Sequence, residues 1–567
     1  MKFSEFPYQR IDMDALKQQI VSTTQKLQNA QTFLEADEAF VAMNELLGQS
    51  LMTQRTVAQI RRDVNTSDAF YDGEMAYYNR AVPELQPARK AWTDALLASH
   101  FRKELEEKYG NVTFLNAEIS QKTFTPEMVP DLQRENELVT RYVKLIASAQ
   151  IPFEGNAYTL AQLAPYKLDP DDTRRLAAWT AEGEWYNQHG AELDEIYDQL
   201  VKVRDAMGRK LGYDGYTQLG YYRMERNCYT AEDVSAFRAG VQKYLVPLAK
   251  KIYLRQATRM GKKFPLNFAD KDLAFRSGNP KPIGTPAEIL AQGAKFYQKL
   301  SPETHAFWTF LREHEMMDVE SKPGKASGGY CTCVYGMNGP FIFANFNGTA
   351  HDVKVITHEA GHAFAGFLNR SRVPADTMWP SMEGCEVHSM SMEFFAEAFA
   401  ENFFGGDARK FRYTHLTDAL TFIPYGAMVD HFQHIMYEYP EFTPAERHQV
   451  WQELLGVYMP WVAPGTVPFY GEGKGWQRQS HIYKTPFYYI DYCLAQTVAL
   501  EFWAKIQKDP KAAFDTYLRY TQLGGSMVFT KLLKEAGLSS PFAESTLKNV
   551  CEAADKWLDA FDLSGLE

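Results

Sequence analysis

The sequence predicts a mainly α-helical fold with one small β-sheet. Apolar residues recur at steps of three and four through most of the first 311 positions, which is the spacing of one helix face. The breaks between these patterns are short and carry glycine or proline. A glycine-rich stretch after Pro323 then alternates from residue to residue, as strands do.

The helical patterns begin at Asp12, where the spacing predicts a helix packed along an antiparallel neighbour. Its predicted packed face consists of Leu16, Ile20, Thr23, Leu27, Ala30 and Leu34. Further patterns cover residues 40–62, 90–109, 130–150, 171–211, 230–261 and 286–311, with one irregular interruption at 151–167. We divide the chain into an N-terminal helical region, residues 1–190, and a second region, residues 191–567, although no linker marks the boundary.

Residues 323–349 (PGKASGGYCTCVYGMNGPFIFANFNGT) predict two short strands. The two faces of the second strand carry Phe341, Phe343 and Asn345 on one side and Ile342, Ala344 and Phe346 on the other. This strand directly precedes the next helical segment, and its edge can pair with an extended peptide, whose backbone adds as a further strand. Such pairing binds peptides with loose sequence preference.

The composition excludes two classes of partner. The chain has 60 Lys and Arg against 71 Asp and Glu, a net charge of −11, and no block rich in Lys and Arg. We therefore expect neither nucleic acid nor an anionic membrane as a partner, and nothing indicates an obligate protein partner. The first residues lack the apolar core of a signal peptide, and no run of about 18 apolar residues occurs, so we expect a cytoplasmic protein.

The six cysteines are few and scattered, which does not indicate a disulfide framework. Cys331 and Cys333 lie two apart in a predicted strand and therefore share a face. They can chelate a metal, but reduced thiols in the core are the preferred interpretation.

The five residues His358-Glu359-Ala360-Gly361-His362 form an HExxH motif. Residues four apart on a helix share one face, so both imidazoles can bind one metal ion. A Zn²⁺ ion held this way lowers the pKa of a water molecule towards 7, and Glu359 can accept that water's proton as it attacks a carbonyl. The motif predicts one zinc ion per chain and peptide hydrolysis. With 13 histidines among 567 residues, the motif should arise by chance in about 0.02 of such chains, which favours a functional motif over an accident.

The surrounding residues place the motif on a helix. Thr349-Ala350-His351-Asp352 has the form of a capping box. Apolar residues then follow at steps of three and four: Val353, Ile356, Ala360, Ala363, Phe364 and Phe367. Gly361 costs about 1 kcal/mol relative to Ala inside a helix, which predicts that another element or the substrate packs closely there.

A catalytic zinc site needs a third protein ligand, and a helical pattern after residue 381 offers candidates. Glu386 follows His362 by 386 − 362 = 24 residues, enough for a helix end, a turn and an antiparallel return. Glu383 and His388 lie within one turn of Glu386 and are alternatives.

Glu393 lies two turns after Glu386 on the same side of the helix. It can accept a hydrogen bond from His358 and orient that ring. It can equally belong to a solvated row with Glu397 and Glu401, and the sequence leaves both interpretations open.

The stretch HIYKTPFYYIDYCLAQ begins at His481 and contains three tyrosines after Pro486, namely Tyr488, Tyr489 and Tyr492. With the proline at or near the first position of a helix, two of the tyrosines share a face. Phenol hydroxyls and an imidazole N–H are suitable donors to a tetrahedral oxyanion. An aromatic core helix is the alternative, and the zinc motif favours the catalytic interpretation.

Three other stretches have simpler explanations. His431 and His434 lack an acidic residue at the second position of the pair, so we predict cleft lining or core rather than a second metal site. Residues 471–475 (GEGKG) lack the order of a phosphate-binding loop, and we predict a mobile loop anchored by Trp476. Residues 213–229, rich in tyrosine with two arginines, are predicted to belong to the core.

Together, FIFANFNGTAHDVKVITHEAGHAF, EVHSMSMEFF and HIYKTPFYYIDYCLAQ resemble the M3 family of zinc metallopeptidases, in particular its oligoendopeptidase F branch. The resemblance covers about residues 211–548, and the helical first third resembles the family's N-terminal region less distinctively. It implies the following roles: zinc ligands His358, His362 and Glu386, general base Glu359, and transition-state donors His481, Tyr489 and Tyr492, with Tyr488 as a further candidate.

The family's fold implies two helical lobes that enclose a deep channel, with a small sheet next to the zinc helix, and it makes residues 191–567 the catalytic domain. We expect a zinc-dependent endopeptidase that cleaves internal bonds of short unfolded oligopeptides. One alternative is a peptidyl-dipeptidase or carboxypeptidase of similar helical HExxH architecture, which needs a cationic group for the substrate's C-terminal carboxylate; no Arg or Lys cluster stands out in the motifs. The second alternative is a non-catalytic peptide-binding protein, which would not need Glu359 as a base.

Overall fold

The computed structural model describes residues 1–322, 324–326, 328–346 and 350–566, and the chain is mainly helical. The predicted capping box begins at Thr349, which lies outside the described residues. The helices of the first half are α1 Met13–Asn29, α2 Phe33–Asn44, α3 Thr53–Val64, α4 Ala69–Ala81, α5 Gln86–Leu97, α6 Arg102–Tyr109, α7 Val112–Ser120, α8 Val129–Ala147, α9 Leu160–Leu163, α10 Asp172–Gln188, α11 Gly190–Lys210, α12 Thr217–Arg223, α13 Ala231–Gly240 and α14 Val246–Met260.

The helices of the second half are α15 Pro286–Leu300, α16 Pro302–Glu313, α17 Ala350–Asn369, α18 Met382–Ala396, α19 Ala400–Phe404, α20 Ala408–Glu438, α21 Pro444–Tyr458, α22 Ser480–Lys484, α23 Tyr489–Ile506, α24 Pro510–Leu523, α25 Phe529–Ala536 and α26 Glu544–Ala560. The strands are β1 Ile151–Phe153, β2 Asn156–Tyr158, β3 Leu266–Asn267, β4 Met317–Glu320, β5 Tyr330–Val334, β6 Gly339–Phe346 and β7 Val462–Ala463. The predicted mainly helical class is confirmed. Among the described residues, each helix is too short or too polar to cross a membrane.

These elements form two compact units, and each unit is assembled from separate parts of the chain. Unit 1 consists of residues 1–121, 281–407 and 505–539. Unit 2 consists of residues 122–280, 408–504 and 540–567. The predicted boundary at residue 190 divides the chain into two continuous segments, whereas each compact unit combines three segments, so this boundary remains a prediction.

In unit 1, the predicted packed face of α1 is buried as far as Leu27. Leu34 is instead 64% exposed, because α1 ends and the chain begins α2 only four residues after the helix end. The Thr32 hydroxyl caps α2 by accepting a hydrogen bond from the backbone N–H of Glu35 over 3.3 Å. The prediction is therefore right for α1 and wrong for Leu34, since a continuous apolar spacing hid a helix boundary.

Unit 1 also contains the sheet that precedes the HExxH helix. Its strand order is β4-β6-β5, with β4 parallel and β5 antiparallel to β6. The two predicted strands are confirmed as β5 and β6, whereas β4 was not predicted. Because β6 is paired on both sides, the strand directly before the helix has no free edge, and that part of the prediction is wrong. In the described part of the sheet, β5 is an edge strand.

In unit 2, the predicted single helix over residues 171–211 is two helices, α10 and α11, separated at His189. The His189 ring donates a hydrogen bond from Nδ1 to the carbonyl oxygen of Trp185 over 2.8 Å. The His189 backbone N–H bonds the carbonyl of Tyr186 instead. The side chain thus competes for the carbonyl that a continuing helix would use, which the apolar spacing alone does not reveal.

The GEGKG loop of unit 2 is packed rather than open. A Cβ atom at Gly473 would lie 2.3 Å from the carbonyl oxygen of His448, and Trp476 is fully buried, as predicted for an anchor. Tyr216, Tyr221 and Tyr229 are buried, as predicted for core residues, whereas Tyr213 and Tyr222 of the same segment are half-buried.

Candidate active site

Helices α17 and α18 of unit 1 carry the HExxH motif and the candidate third ligand, and they pack closely side by side. Gly361 allows this contact, because a Cβ atom there would lie 2.6 Å from the carbonyl oxygen of His388 and 2.6 Å from the Cα of Ser389. The prediction that an element packs against Gly361 is confirmed. A larger residue would push the helices apart, so the glycine sets the distance across which the candidate ligands meet.

His358, His362 and Glu386 converge on one point between the two helices, and we call them the metal group. In the part of the chain that the structure describes, they are the only set of three or more His, Cys, Asp or Glu side chains able to share an ion, with ligand atoms within 4.8 Å of one another. Glu386 Oε2 lies 3.4 Å from His358 Nε2 and 3.6 Å from His362 Nε2.

The donor types and spacing of the metal group fit a zinc ion. Catalytic zinc sites use three protein ligands drawn from imidazole and carboxylate groups and keep a further position open. Ligand atoms about 2.1 Å from one tetrahedral ion lie about 3.4 Å apart. The two separations to Glu386 Oε2 are close to that value, so the residues present suit the ion.

Glu393 orients one imidazole of the metal group. It is only 7% exposed, and its Oε1 accepts a hydrogen bond from His358 Nδ1 over 2.7 Å. With the proton held on Nδ1, the Nε2 of His358 is free to face Glu386. Of the two interpretations of Glu393, the contact with His358 is the one observed.

The alternative third ligands have other surroundings. Glu383 accepts a hydrogen bond from the Ser381 hydroxyl over 2.7 Å. His388 is fully buried with its ring centroid 5.0 Å from that of Tyr520, and burial lowers the pKa of His388 to about 3. Its imidazole is therefore a neutral core side chain. Neither residue joins the metal group.

Glu359 is half-buried on α17, and this helix packs against strand β5. Burial, together with the nearby Glu359 carboxylate, raises the pKa of the Cys331 thiol well above its usual value. Burial raises the pKa of Cys333 to about 12. Both cysteines are protonated at pH 7, which agrees with the preferred interpretation of reduced thiols, and none of the six cysteines, all of them among the described residues, forms a disulfide.

In unit 2, His481 and the three tyrosines form one aromatic cluster, which we call the tyrosine cluster. The His481 ring centroid lies 5.8 Å from that of Tyr488, 5.0 Å from that of Tyr489 and 5.9 Å from that of Tyr492. All four side chains are half-buried. Burial raises the pKa of Tyr489 well above its usual value, so this phenol stays a proton donor at neutral pH.

Gln479 fixes the tautomer of His481. The amide oxygen of Gln479 accepts a hydrogen bond from the Tyr425 hydroxyl over 3.0 Å, and its Nε2 donates to His481 Nδ1 over 2.7 Å. Burial, with Lys484 nearby, lowers the pKa of His481 to about 4, so the ring is neutral at pH 7. Because Nδ1 accepts, the single proton lies on Nε2, which is therefore a hydrogen-bond donor.

The turn that leads into the tyrosine cluster is held from outside its own segment. Phe487 has φ of 67°, the left-handed conformation that non-glycine residues adopt at a cost. Its carbonyl accepts a hydrogen bond from Arg226 Nη2, and its N–H donates to Gln433 Oε1 over 2.9 Å. The same Arg226 nitrogen pairs with Asp491 over 2.8 Å, and both side chains are 1% exposed. The buried pair fixes the start of α23.

The helix after Pro486 begins later than predicted. Because Phe487 is left-handed, α23 starts at Tyr489, and the proline is not at the first helical position. Tyr488 lies just before the helix. The Tyr492 ring still lies near both others, with centroids 4.9 Å from Tyr488 and 5.6 Å from Tyr489.

Comparison with known proteins relates the whole chain to one family. Residues 3–124 match the model of the peptidase M3 N-terminal domain, and residues 306–551 match that of peptidase family M3. The structure of PZ peptidase A with inhibitor 2 is 43% identical, and the alignment covers 99% of this chain and 100% of that one with a TM-score of 0.93. The chain belongs to peptidase family M3.

Two further relatives carry the name oligopeptidase or oligoendopeptidase. A Bacillus anthracis (strain Ames) structure assigned as an oligoendopeptidase F is 39% identical, with 99% of both chains covered and a TM-score of 0.88. Oligopeptidase PepF of Bacillus subtilis (strain 168) is 25% identical over 286 residues, or 48% of this chain. That match spans 42% of PepF, less than half of its length.

In this M3 peptidase the candidate site residues fall into two groups. The metal group and Glu359 lie in unit 1, whereas His481 and the tyrosines lie in unit 2. The structure brings together the members within each group. His431 and His434 belong to neither, since they bond the hydroxyls of Tyr458 and Tyr221 over 3.1 Å each.

Sequence reasoning missed the residues that support the tyrosine cluster. Gln479 lies two positions before His481 and carried no recognisable motif. Gln433 lies between the two histidines of HFQH, which are the more recognisable functional residues of that stretch. For Arg226, the only available signal was an arginine within an otherwise apolar, tyrosine-rich segment, since buried arginines require a partner.

Proposed function

We propose that this chain is a zinc-dependent endopeptidase that hydrolyses internal peptide bonds of short unfolded oligopeptides. The observation that carries the proposal is the convergence of His358, His362 and Glu386 on one point, with Glu359 beside them on the same helix. Membership of peptidase family M3 supports the same reaction. One zinc ion per chain and a cytoplasmic location belong to the proposal as well.

Each acidic residue near the metal group has a separate task. A zinc ion bound there would polarise the scissile carbonyl and lower the pKa of a water molecule. Glu359 accepts the proton of the attacking water on a carboxylate oxygen and later passes it to the leaving amine. Glu386 would hold the ion together with the two histidines, and Glu393 keeps His358 in the tautomer whose Nε2 could bind it.

The donors of the tyrosine cluster stabilise the charge that develops on the carbonyl oxygen. His481 Nε2–H and the phenols of Tyr489 and Tyr492 are neutral donors, with Tyr488 as a further candidate. Donors fixed in advance need no reorganisation during the reaction, which is why such groups lower the barrier.

The proposed substrate is a peptide bound as an extended strand. Strand β5 lies at the edge of its sheet, and its Cys331 is close to Glu359. Backbone pairing along β5 would bind peptides by their main chain, with little dependence on side chains. The predicted channel between two lobes, which would limit substrates to short unfolded peptides, remains part of this proposal.

A timed digest of blocked peptides tests the proposed function. The substrate is a peptide of about ten residues, acetylated and amidated, and products are identified by mass spectrometry. We expect cleavage away from both ends, loss of all cleavage after chelation, and recovery on adding zinc. Release of dipeptides only from unblocked peptides would support a peptidyl-dipeptidase instead. Binding without any product would support the non-catalytic alternative.

A further inference from the structure

Arg478 in unit 2 is a cationic side chain set among aromatic rings. Its Cζ lies 5.9 Å from the ring centroids of both Trp179 and Tyr470. Tyr186 and Tyr425 also lie near it. We call these four aromatic residues and Arg478 the Arg478 recess. Although Trp179, Tyr186 and Tyr470 are buried, Arg478 as a residue is exposed.

The guanidinium stays charged in this setting. Protein packed around it disfavours the charge, but the side chains of Tyr470, Glu182, Tyr425 and Tyr186 hold the pKa of Arg478 well above its usual value. The recess therefore presents a permanent cation beside aromatic faces, which attract cations and leave the hydrogen-bonding edge of the guanidinium available.

Arg478 has no carboxylate partner within the described residues, and its nearest acidic neighbour is already used. Glu182 is buried, and its Oε2 accepts from Lys167 Nζ over 2.5 Å. Its Oε1 accepts from the Tyr470 hydroxyl over 2.5 Å. Lys167, Arg478 and the nearby Lys271 carry three positive charges against two negative charges on Glu182 and Asp272. The recess is left with one uncompensated positive charge.

Other arginines of unit 2 whose side chains are buried each have a carboxylate partner. The pairs are Arg175–Asp270, Arg204–Glu135, Arg226–Asp491, Arg238–Asp430 and Arg447–Asp198. Those arginines stabilise the fold. Arg478 differs from them in being both unpaired and exposed, which is the arrangement expected of a group that binds an external anion.

The Arg478 recess adjoins the tyrosine cluster. Arg478 directly precedes Gln479, whose amide contacts His481. Tyr425 belongs to the recess, yet its hydroxyl bonds Gln479 and its ring centroid lies 5.9 Å from that of Tyr489. A peptide that contacts the tyrosine cluster would therefore pass close to Arg478.

We propose that Arg478 binds a carboxylate of the peptide substrate. This proposal rests on the proposed peptidase function. The planar guanidinium can donate two parallel hydrogen bonds to one carboxylate, and the aromatic rings can contact the residue that bears it. The carboxylate comes either from the C-terminus of the peptide or from an Asp or Glu side chain. If Arg478 binds the terminal carboxylate, cleavage occurs at a fixed distance from the C-terminus of the peptide. If it binds an Asp or Glu side chain, the cleavage position depends on where that residue lies in the peptide sequence.

The test measures binding rather than cleavage, in protein carrying Glu359→Gln so that peptides stay intact. Isothermal titration calorimetry measures the affinities of two pairs of peptides. The first pair has one sequence and differs only in a free or an amidated C-terminus. In the second pair both peptides are amidated, and they differ only in an internal Glu or Gln. We expect the carboxylate form of at least one pair to bind about tenfold more tightly. Preference for the free C-terminus identifies the terminal carboxylate, and preference for Glu identifies a side chain.

Arg478→Gln should reduce that preference to within about twofold and leave the affinity of the neutral peptide unchanged. Arg209→Gln is the matched control, because it removes an equal charge from an exposed position of the same unit and should keep the preference. Arg478→Lys, which retains the charge but not the planar fork, should keep part of it. In the protein that retains Arg478, added acetate should weaken the binding of the carboxylate peptide and leave the binding of the neutral peptide unchanged. This measurement does not depend on the folding of an Arg478 variant.

Two results would overturn the proposal: equal binding within both peptide pairs, or a preference that persists in Arg478→Gln. Neither depends on catalysis. If blocked peptides are not cleaved but the carboxylate preference disappears in Arg478→Gln, the peptidase function fails while Arg478 remains an anion-binding residue. If blocked peptides are cleaved and no preference exists, only the role of Arg478 is refuted.

Discussion

The metal group and the tyrosine cluster are built in different ways. The ligands of the metal group lie on two helices that follow each other in the chain, and their approach depends on Gly361 within the motif itself. The tyrosine cluster depends on distant residues, since the Phe487 turn is held by Arg226, 261 positions earlier, and by Gln433, 54 positions earlier. A local motif therefore specifies the metal group, whereas tertiary packing specifies the tyrosine cluster.

This difference predicts how each region responds to change. Substitutions in the metal group should affect zinc and activity while leaving the fold intact, because a large apolar core holds α17 and α18. Substitutions in the tyrosine cluster should leave zinc unaffected and reduce only the rate of the chemical step. The four predictions that follow, ordered by size of effect, test that separation.

Removal of zinc should abolish peptidase activity and leave most helicity in place. The ligands lie on helices that pack through apolar side chains, so the ion is not needed to form them. Activity and far-UV circular dichroism would be measured before chelation, after chelation and after zinc is restored. If helicity collapses together with activity, the metal group is a structural site and the catalytic assignment loses its main support.

Glu386→Gln should weaken zinc retention strongly. Loss of a residue that merely supports a ligand costs about 10–100-fold in metal affinity, so loss of a ligand should cost at least that much. His388→Phe is the control, because His388 lies two residues away in the same helix but packs against Tyr520, and it should keep its zinc. Elemental analysis after dialysis distinguishes the two. Equal zinc loss in both variants would refute the ligand assignment.

Tyr489→Phe or Tyr492→Phe should lower kcat by about 10²–10³, the typical cost of one oxyanion donor. The exchange removes a hydroxyl and little volume. If the lost bond exists only in the transition state, kcat and kcat/KM fall together, while KM and zinc content stay constant. A tyrosine that merely lines the substrate path would instead raise KM. Near-normal kcat in both variants would make α23 an aromatic packing helix.

Gln479→Met should lower kcat about fivefold, corresponding to the roughly 1 kcal/mol of one hydrogen bond. The substitution removes the donor to His481 Nδ1, so the proton is no longer confined to Nε2. Gln479 is a positioning residue, and KM and zinc content should not change. Tyr425→Phe, which loosens Gln479 without removing its Nε2, should have a smaller effect. An unchanged kcat in Gln479→Met would mean that the His481 tautomer is not set by Gln479.

The sequence was most informative where function and local spacing coincide. The apolar pattern and the HExxH spacing predicted a helix with both histidines on one face, and the 24-residue interval predicted that Glu386 could return beside it. Competing ligands could not be separated, because Glu383, Glu386 and His388 fall within one turn. Only packing distinguishes a carboxylate that faces α17 from an imidazole that faces Tyr520.

The sequence was least informative where a side chain acts across the fold. Strand β4 was missed, and its pairing with β6 leaves β5 as the edge strand. Arg226 and Gln433 give no local signal, because their partners are backbone atoms of a distant turn. Arg478 lies just outside the three motifs, so the motifs alone do not reveal this cationic group. Its unpaired charge becomes visible only when the partners of Glu182 are known.

The central claim is that Glu359 acts as the base beside a zinc ion that it does not bind, and Glu359→Gln tests it most directly. We predict wild-type zinc content, unchanged helicity and a fall in kcat of about 10²–10⁴, the usual contribution of a general base. Zinc content by elemental analysis and kcat on a blocked peptide would be measured on the same preparation. Near-normal kcat, or zinc loss equal to that of Glu386→Gln, would contradict the claim.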